Sequence, residues 1–271
     1  MTISCMEITS VTVTPYRALE QRFRRINAVE EAADLLSWDQ ATMMPEGGRA
    51  ARAEELAALH LHAHELLTAS ETGELLAGAE ENGFFDWDGA NLREMRRKHA
   101  HATALPADLV DAMSRASVAC EAAWRQARRD DDFGVVAPLL EDVVMLARRA
   151  AEAKSERLGV PPYEALMDQF EPGARTEQID LIFADYIAFL PDFLARVLER
   201  QNREPAPVVP SGPFPIVAQK ELARQLAQQL GFTFDRGRLD ESPHPFSTGR
   251  AGDVRITTRY RESEAMQAVM A

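Results

Sequence analysis

Cysteine is scarce in this chain. Only Cys5 and Cys120 occur among 271 residues, so neither a disulfide framework nor a cysteine-based zinc module can be built. The two thiols read as small apolar residues of a reducing compartment. A basic start followed by an apolar core is missing from "MTISCMEITSVTVTPYRALEQRFRR", which argues against a signal peptide. No apolar run approaches the roughly 20 residues of a spanning helix. These absences together predict a soluble, cytoplasmic protein with no membrane partner. Positive charge is also in deficit: 30 Lys and Arg against 43 Asp and Glu leave a formal net charge of −13. Phosphate backbones would be repelled, so nucleic acid is excluded as a partner. The local basic run "REMRRKHAH", Arg93 to His101, reads as a solvated helix face. The serine-nucleophile pattern G-x-S-x-G, the phosphate loop G-x-x-x-x-G-K-[ST] and internal repeats are absent as well.

What remains is mostly helix. With 46% hydrophobic residues, the chain is long enough for a large core or two smaller ones. Leu19, Phe23, Ile26, Val29, Ala33 and Leu36 recur at three- and four-residue spacing, an apolar stripe on a first helix that "PEGG" (Pro45 to Gly48) breaks. Further helices are expected from Arg49, from Asn91, from Pro106 in a first-turn position, from Val135 to the stop at Gly159, and from Thr176 as a cap. The stretch Arg203 to Pro215 has five prolines and reads as a semi-rigid connector. One more helix runs from Ile216 to Gly231. "VRITTRY" then offers the only convincing strand, with Val254, Ile256, Thr258 and Tyr260 on one side of the pleat. "SGPFP" and "STGRAG" are turns by composition. The fold class is mainly α, a multi-helix array with a small β element near the C-terminus. Its expected domains are a helical region at 1–202, the connector at 203–215, and a helix, loop and strand at 216–271.

Candidate chemistry is sparse. In "LHLHAHELLT" (Leu59 to Thr68), His60 and His64 are four apart and His64-Glu65 begins an HExxH-like string. Thr68 stands where a second histidine should be, and no third ligand is nominated, so no metal site is expected there. "SWDQATMMPEGG" (Ser37 to Gly48) is an unusual way to write a helix-turn corner. In "SPHPFSTGRAGDVRIT", prolines bracket His244, and Asp253 and Arg255 alternate onto one face of the strand, as a structural ion pair would.

Taken together, these stretches resemble the N-terminal half of the carboxypeptidase Taq family, HExxH zinc metallocarboxypeptidases of roughly twice this length. "LLSWDQATMMPEGGRAARAEELAAL" is similar to the family's SWDQ-T-MP-GG helix-turn-helix, and "PPYEALMDQFEPG" to its YDALLD-YEPG segment. "HPF" and "DVRIT" match its HPF and D-x-R-x-T motifs in order and separation. The resemblance implies a zincin-like carboxypeptidase half whose helices roof and wall a substrate groove. His244, Phe246, Asp253, Arg255 and Thr257 are its groove candidates, with His244 or Arg255 helping to hold the substrate's carboxylate or scissile carbonyl. In the family the helix after D-x-R-x-T carries HExxH. "ESEAMQAVMA", with Ser263 as N-cap, reads as the opening of that helix and stops at Ala271. The complete family enzyme uses zinc, with cobalt as a substitute, and takes peptide C-termini as substrate. For this chain the expectation is no bound metal, no catalytic residue and no activity alone, with a missing C-terminal half or a second copy as partner. The alternatives are a non-catalytic helical protein that binds peptides or a partner, and one half of a split enzyme.

Overall fold

A computed structural model of the chain describes residues 14–79, 87–208 and 210–264. The helix expected after Ser263 falls on residues 265–271, outside that range. The chain divides into two packed units, Met1–Ala79 with Ala206–Ala271, and Glu80–Pro205.

The first unit is organised by α1 (Pro15–Thr42). Thr14 caps it, its hydroxyl accepting from the Arg17 N–H, and Pro15 takes the first helical position. The apolar stripe lies inward: Tyr16, Leu19, Phe23, Ile26, Ala33 and Trp38 are buried, each large side chain contributing about 1.5–3 kcal/mol by leaving water. The stripe packs on α2 (Arg49–Thr68) and α3 (Ser70–Gly78), across the break at a 3-10 turn, Glu46–Gly48. Arg22 of α1 fixes this corner. Its guanidinium donates to the Leu66 carbonyl at 3.1 and 3.0 Å and also reaches Thr72 and Glu71.

Downstream, the connector leads to α9 (Ile216–Gln229) and a three-stranded sheet of β1 (Gly237–Glu241), β2 (Ser247–Arg250) and β3 (Asp253–Thr258). The sheet order is β1-β3-β2, with β1 parallel and β2 antiparallel to β3. Only β3 was legible as a strand. "STGRAG" is not simply a turn: its first four residues form β2, and Ala251–Gly252 make the reversal. Gly249 sits at φ 99° where a Cβ would lie 2.1 Å from the Asp253 carbonyl oxygen, so glycine is obligatory in this tight ribbon. β2 packs on α1, with Arg250 paired to Glu31 at 2.7 Å.

The second unit contains α4 (Trp87–Thr103), α5 (Ala107–Asp130), α6 (Phe133–Leu158), the short α7 (Pro162–Met167) and α8 (Thr176–Gln201). Leu109, Leu146 and Ala150 form the core between α5 and α6, with Met113 and Ala116 packed against it. Gly159, at φ 68°, ends α6 in the left-handed conformation and donates to the Ser155 carbonyl. Pro106 proves to be the residue before α5 rather than part of its first turn.

The segment around α7 is a polar knot. Glu164 is buried and accepts both the Thr176 N–H at 2.9 Å and its hydroxyl at 2.6 Å. Thr176 is therefore not the N-cap of α8 but its first residue, and the Glu164 carboxylate satisfies the open helix end. Asp168 meets His101 Nε2 at 2.7 Å and accepts the Gly173 N–H at 2.8 Å. Arg97 donates to the Asp168 carbonyl at 2.8 Å, so this arginine of the basic run is not a solvated one. Burial pushes the Asp168 carboxyl up, but the hydrogen bonds from His101 and Gly173 and the nearby charges of His101 and Arg97 outweigh it and hold it below the usual range.

Candidate functional site

The groove candidates of the sequence all lie in the first unit, and two separate hydrogen-bonded clusters gather them. The first joins "HPF" to β3. Thr257 is 1% exposed. Its N–H and hydroxyl both donate to the Phe246 carbonyl, at 2.8 and 3.0 Å, while the Phe246 N–H donates to the Thr257 hydroxyl at 2.9 Å. Ser242 Oγ lies 2.8 Å from both Thr257 Oγ1 and the His244 carbonyl oxygen. The proline-bracketed loop is thus pinned at its backbone. The His244 side chain is left exposed and Phe246 half-buried.

The second cluster joins β3 to the C-terminal end of α1. Arg255 grips Asp253 through two hydrogen bonds, at 2.5 and 2.9 Å, so the ion pair expected from alternation is present. The same guanidinium lies over the Trp38 ring, 4.4 Å from its centroid. Arg238 of β1, held by Asp240 at 2.8 Å, lies over that ring at 5.3 Å. Strand pairing sets Arg238 beside Arg255 on neighbouring strands, so the sheet presents two cations to one indole. The Trp38 N–H is buried and makes no hydrogen bond among the described residues. Next in sequence, Asp39 pairs with Arg52 of α2 at 2.8 Å, and Arg52 also donates to the Leu36 carbonyl at 2.7 Å. The hydrogen bonds from Arg255, with its charge and those of Arg250 and Arg238, hold the Asp253 carboxyl below its ordinary value despite some burial.

An open hollow of about 440 Å³ lies beside these strands, with Lys220, Arg224, Phe234, Arg238, Asp240 and Tyr260 among its lining residues. Lys220 pairs with Glu241 and Arg238 with Asp240, while the Arg224 guanidinium lies over the Phe234 ring, 4.9 Å from its centroid.

The histidine string of α2 does not converge. His60 and His62 are exposed and His64 is half-buried, while the Thr68 hydroxyl back-bonds to the His64 carbonyl at 2.8 Å. Among the described residues no group of three or more His, Cys, Asp or Glu side chains is arranged to hold a metal ion. A metal is implied by what the chain is similar to, but the donor set described here does not fit one.

The pattern of the carboxypeptidase Taq (M32) metallopeptidase family matches residues 18–271. The chain belongs to that family. Thermostable carboxypeptidase 1 of Thermus thermophilus is 36% identical over 240 residues, which are 84% of this chain and 47% of that protein. Carboxypeptidase 1 of Bacillus subtilis is 32% identical over 251 residues, 91% of this chain and 49% of that protein. Among solved structures, Trypanosoma cruzi metallocarboxypeptidase 1 superposes with a TM-score of 0.85 at 35% identity, covering 96% of this chain and 52% of that one. The Pyrococcus furiosus carboxypeptidase gives 0.81 at 29% identity, covering 94% and 52%. This M32 chain therefore spans about half the length of the curated relatives it matches.

One element of the site escaped sequence reasoning, and so did a polar cluster of the second unit. Arg238 lies in a stretch that carried no motif, and only the parallel pairing of β1 with β3 brings it to Trp38. The Glu164 and Asp168 knot of that unit was legible as a family segment but not as a hydrogen-bonded cluster of one buried and one half-buried carboxylate. Glutamate on α7 and aspartate four residues on, at its C-cap, between prolines and "EPG", were the signal available.

Proposed function

We propose that this chain supplies the groove-wall half of a metallocarboxypeptidase that releases residues one at a time from peptide C-termini. Family membership and the half-length match to enzymes of that name support the reading. The observation that carries it is the packing of Arg255 on Trp38, which unites the SWDQ and D-x-R-x-T segments in one ordered wall. In this reading His244 and Phe246 face the peptide, His244 being the exposed polar group. Asp253, Arg255 and Thr257 keep the wall in register behind them. The connector at 203–215 joins the helical region to the 216–271 segment that carries the wall. The metal is zinc, with cobalt as a substitute, and its ligands and general base belong to the complementary half. The chain alone is then catalytically silent and resides in the cytoplasm.

A zinc peptidase holds its metal with three protein ligands and leaves an open position for water, whose proton a carboxylate takes. When bound, the metal would supply the activated water. The residues described here orient the peptide and exclude solvent around it. The test is metal content together with hydrolysis of a short blocked peptide by the purified chain in added zinc or cobalt. No bound metal and no released C-terminal residue is the expected result. Stoichiometric metal with turnover would overturn it.

A further inference from the structure

The sheet of the first unit has an edge that nothing pairs among the described residues. In the order β1-β3-β2, β1 is outermost on one side, and β2, the other edge, packs on α1. The ladder between β1 and β3 opens with the Val254 N–H donating to the Arg236 carbonyl at 3.0 Å. It closes with the Ser242 N–H donating to the Thr258 carbonyl at 2.9 Å. The even-numbered residues of β1 therefore turn their backbone groups to β3, and Leu239 and Glu241 turn theirs to the open side. No other described backbone group bonds to those of Leu239 or Glu241. Proteins commonly block such an edge with proline, a bulge or charged side chains. β1 has no proline, and its charged residues Arg238 and Asp240 are tied to each other, with Arg238 laid on the Trp38 ring.

The hollow of about 440 Å³ follows this edge. All of β1 lines it, together with Lys220 and Arg224, four residues apart on α9. Its cations are not equally occupied. Lys220 meets Glu241 and Arg238 meets Asp240, whereas Arg224 forms no ion pair among the described residues. The Phe234 ring, 4.9 Å from the Arg224 guanidinium, holds that cation without neutralising it.

We propose that β1 is a docking strand for an extended peptide that bears a carboxylate side chain. The peptide adds to the three-stranded sheet through the backbone of Leu239 and Glu241, and its carboxylate pairs with Arg224. Backbone pairing supplies affinity in such an arrangement, and the side-chain contact supplies selectivity. A neutral or basic peptide would leave Arg224 unpaired, so the occupant is acidic. The groove-wall reading uses β3 and the loop before β2 rather than this edge, and the two stand or fall separately.

The probe is an end-blocked, fluorescein-labelled heptapeptide of alternating threonine and valine with one central glutamate. It is titrated with the full 271-residue chain by anisotropy, and amide hydrogen exchange is read on the complex. Saturable binding in the micromolar range is expected, with exchange at Leu239 and Glu241 slowed about tenfold. The analogue with central glutamine should bind about tenfold more weakly. Arg224→Gln, a change at an exposed position that should leave the circular dichroism unaltered, should bind both peptides equally. N-methylation of alternate peptide amides should abolish binding in one set and spare it in the other, as an added strand requires. Absence of saturable binding at millimolar peptide would overturn the site. Binding with unchanged exchange at Leu239, or with N-methylation tolerated throughout, would overturn strand addition. Equal affinity of the wild-type chain for the glutamine analogue would overturn the acidic occupant.

Discussion

The helices α1 and α8 are almost equal in length, 28 and 26 residues, and both carry an apolar stripe at helical spacing. α1 buries six residues, and α8 buries none of those described. The difference lies in what each meets. α1 is followed by α2 and α3, which fold back on its stripe, and β2 closes on it later in the chain. The stripe of α8 is the more aromatic and aliphatic of the two, but none of the described chain buries it. An amphipathic pattern thus states that a face needs covering without stating what covers it.

Substitution should break this symmetry most strongly. Ile26→Ala on α1 removes a fully buried side chain and should cost about 3 kcal/mol in urea unfolding. Ile187→Ala on α8, chemically the same change, should stay within about 0.5 kcal/mol. Comparable losses at the two sites would show that α8 is covered in the isolated chain.

A smaller effect sharpens the contrast within the first unit. Thr257→Val keeps shape but removes the hydroxyl that the Phe246 N–H donates to. An unsatisfied buried donor should cost about 2 kcal/mol. The loss should be accompanied by faster amide exchange at Phe246, and an unchanged exchange rate there would remove Thr257 from its pinning role.

The smallest effect has the opposite sign. Lys154 is buried in the second unit with its ammonium on Gln169 Oε1 at 2.6 Å, and burial lowers its pKa from the ordinary 10.5. Between the lowered folded value and 10.5 the unfolded chain binds a proton that the folded chain does not, so stability rises with pH across that interval. At neutral pH the penalty is present, and Lys154→Met should stabilise by about 1 kcal/mol. The advantage should shrink as pH approaches 10.5 in a pH series of unfolding midpoints. A destabilised variant at neutral pH would mean that the Gln169 contact outweighs desolvation.

Most of the helices were legible because periodicity and capping are local: the stripe of α1, the stop at Gly159 and the break at "PEGG" are written in adjacent residues. The short α7 was seen only as a motif, and α3 was not anticipated beyond the end of α2. In both, too few turns exist for a period to register. β1 and β2 were missed for a related reason, since "GRLDE" and "STGR" have little β character and become strands by pairing with β3. The groove candidates were named from motifs, and the Asp253–Arg255 pair followed from strand alternation. The role of Trp38 as the surface on which Arg238 and Arg255 stack did not, because the three residues come together only when α1 and the sheet pack.

By itself, then, the sequence determined the mainly helical class, the family, the Asp253–Arg255 pair and the amphipathic character of both long helices. These follow from residue types at fixed short spacings. Only the tertiary structure decided which stripe is buried, which carboxylates close the knot at α7, and that two arginines share one indole. Those depend on contacts between residues far apart in the chain, whose geometry no local spacing encodes.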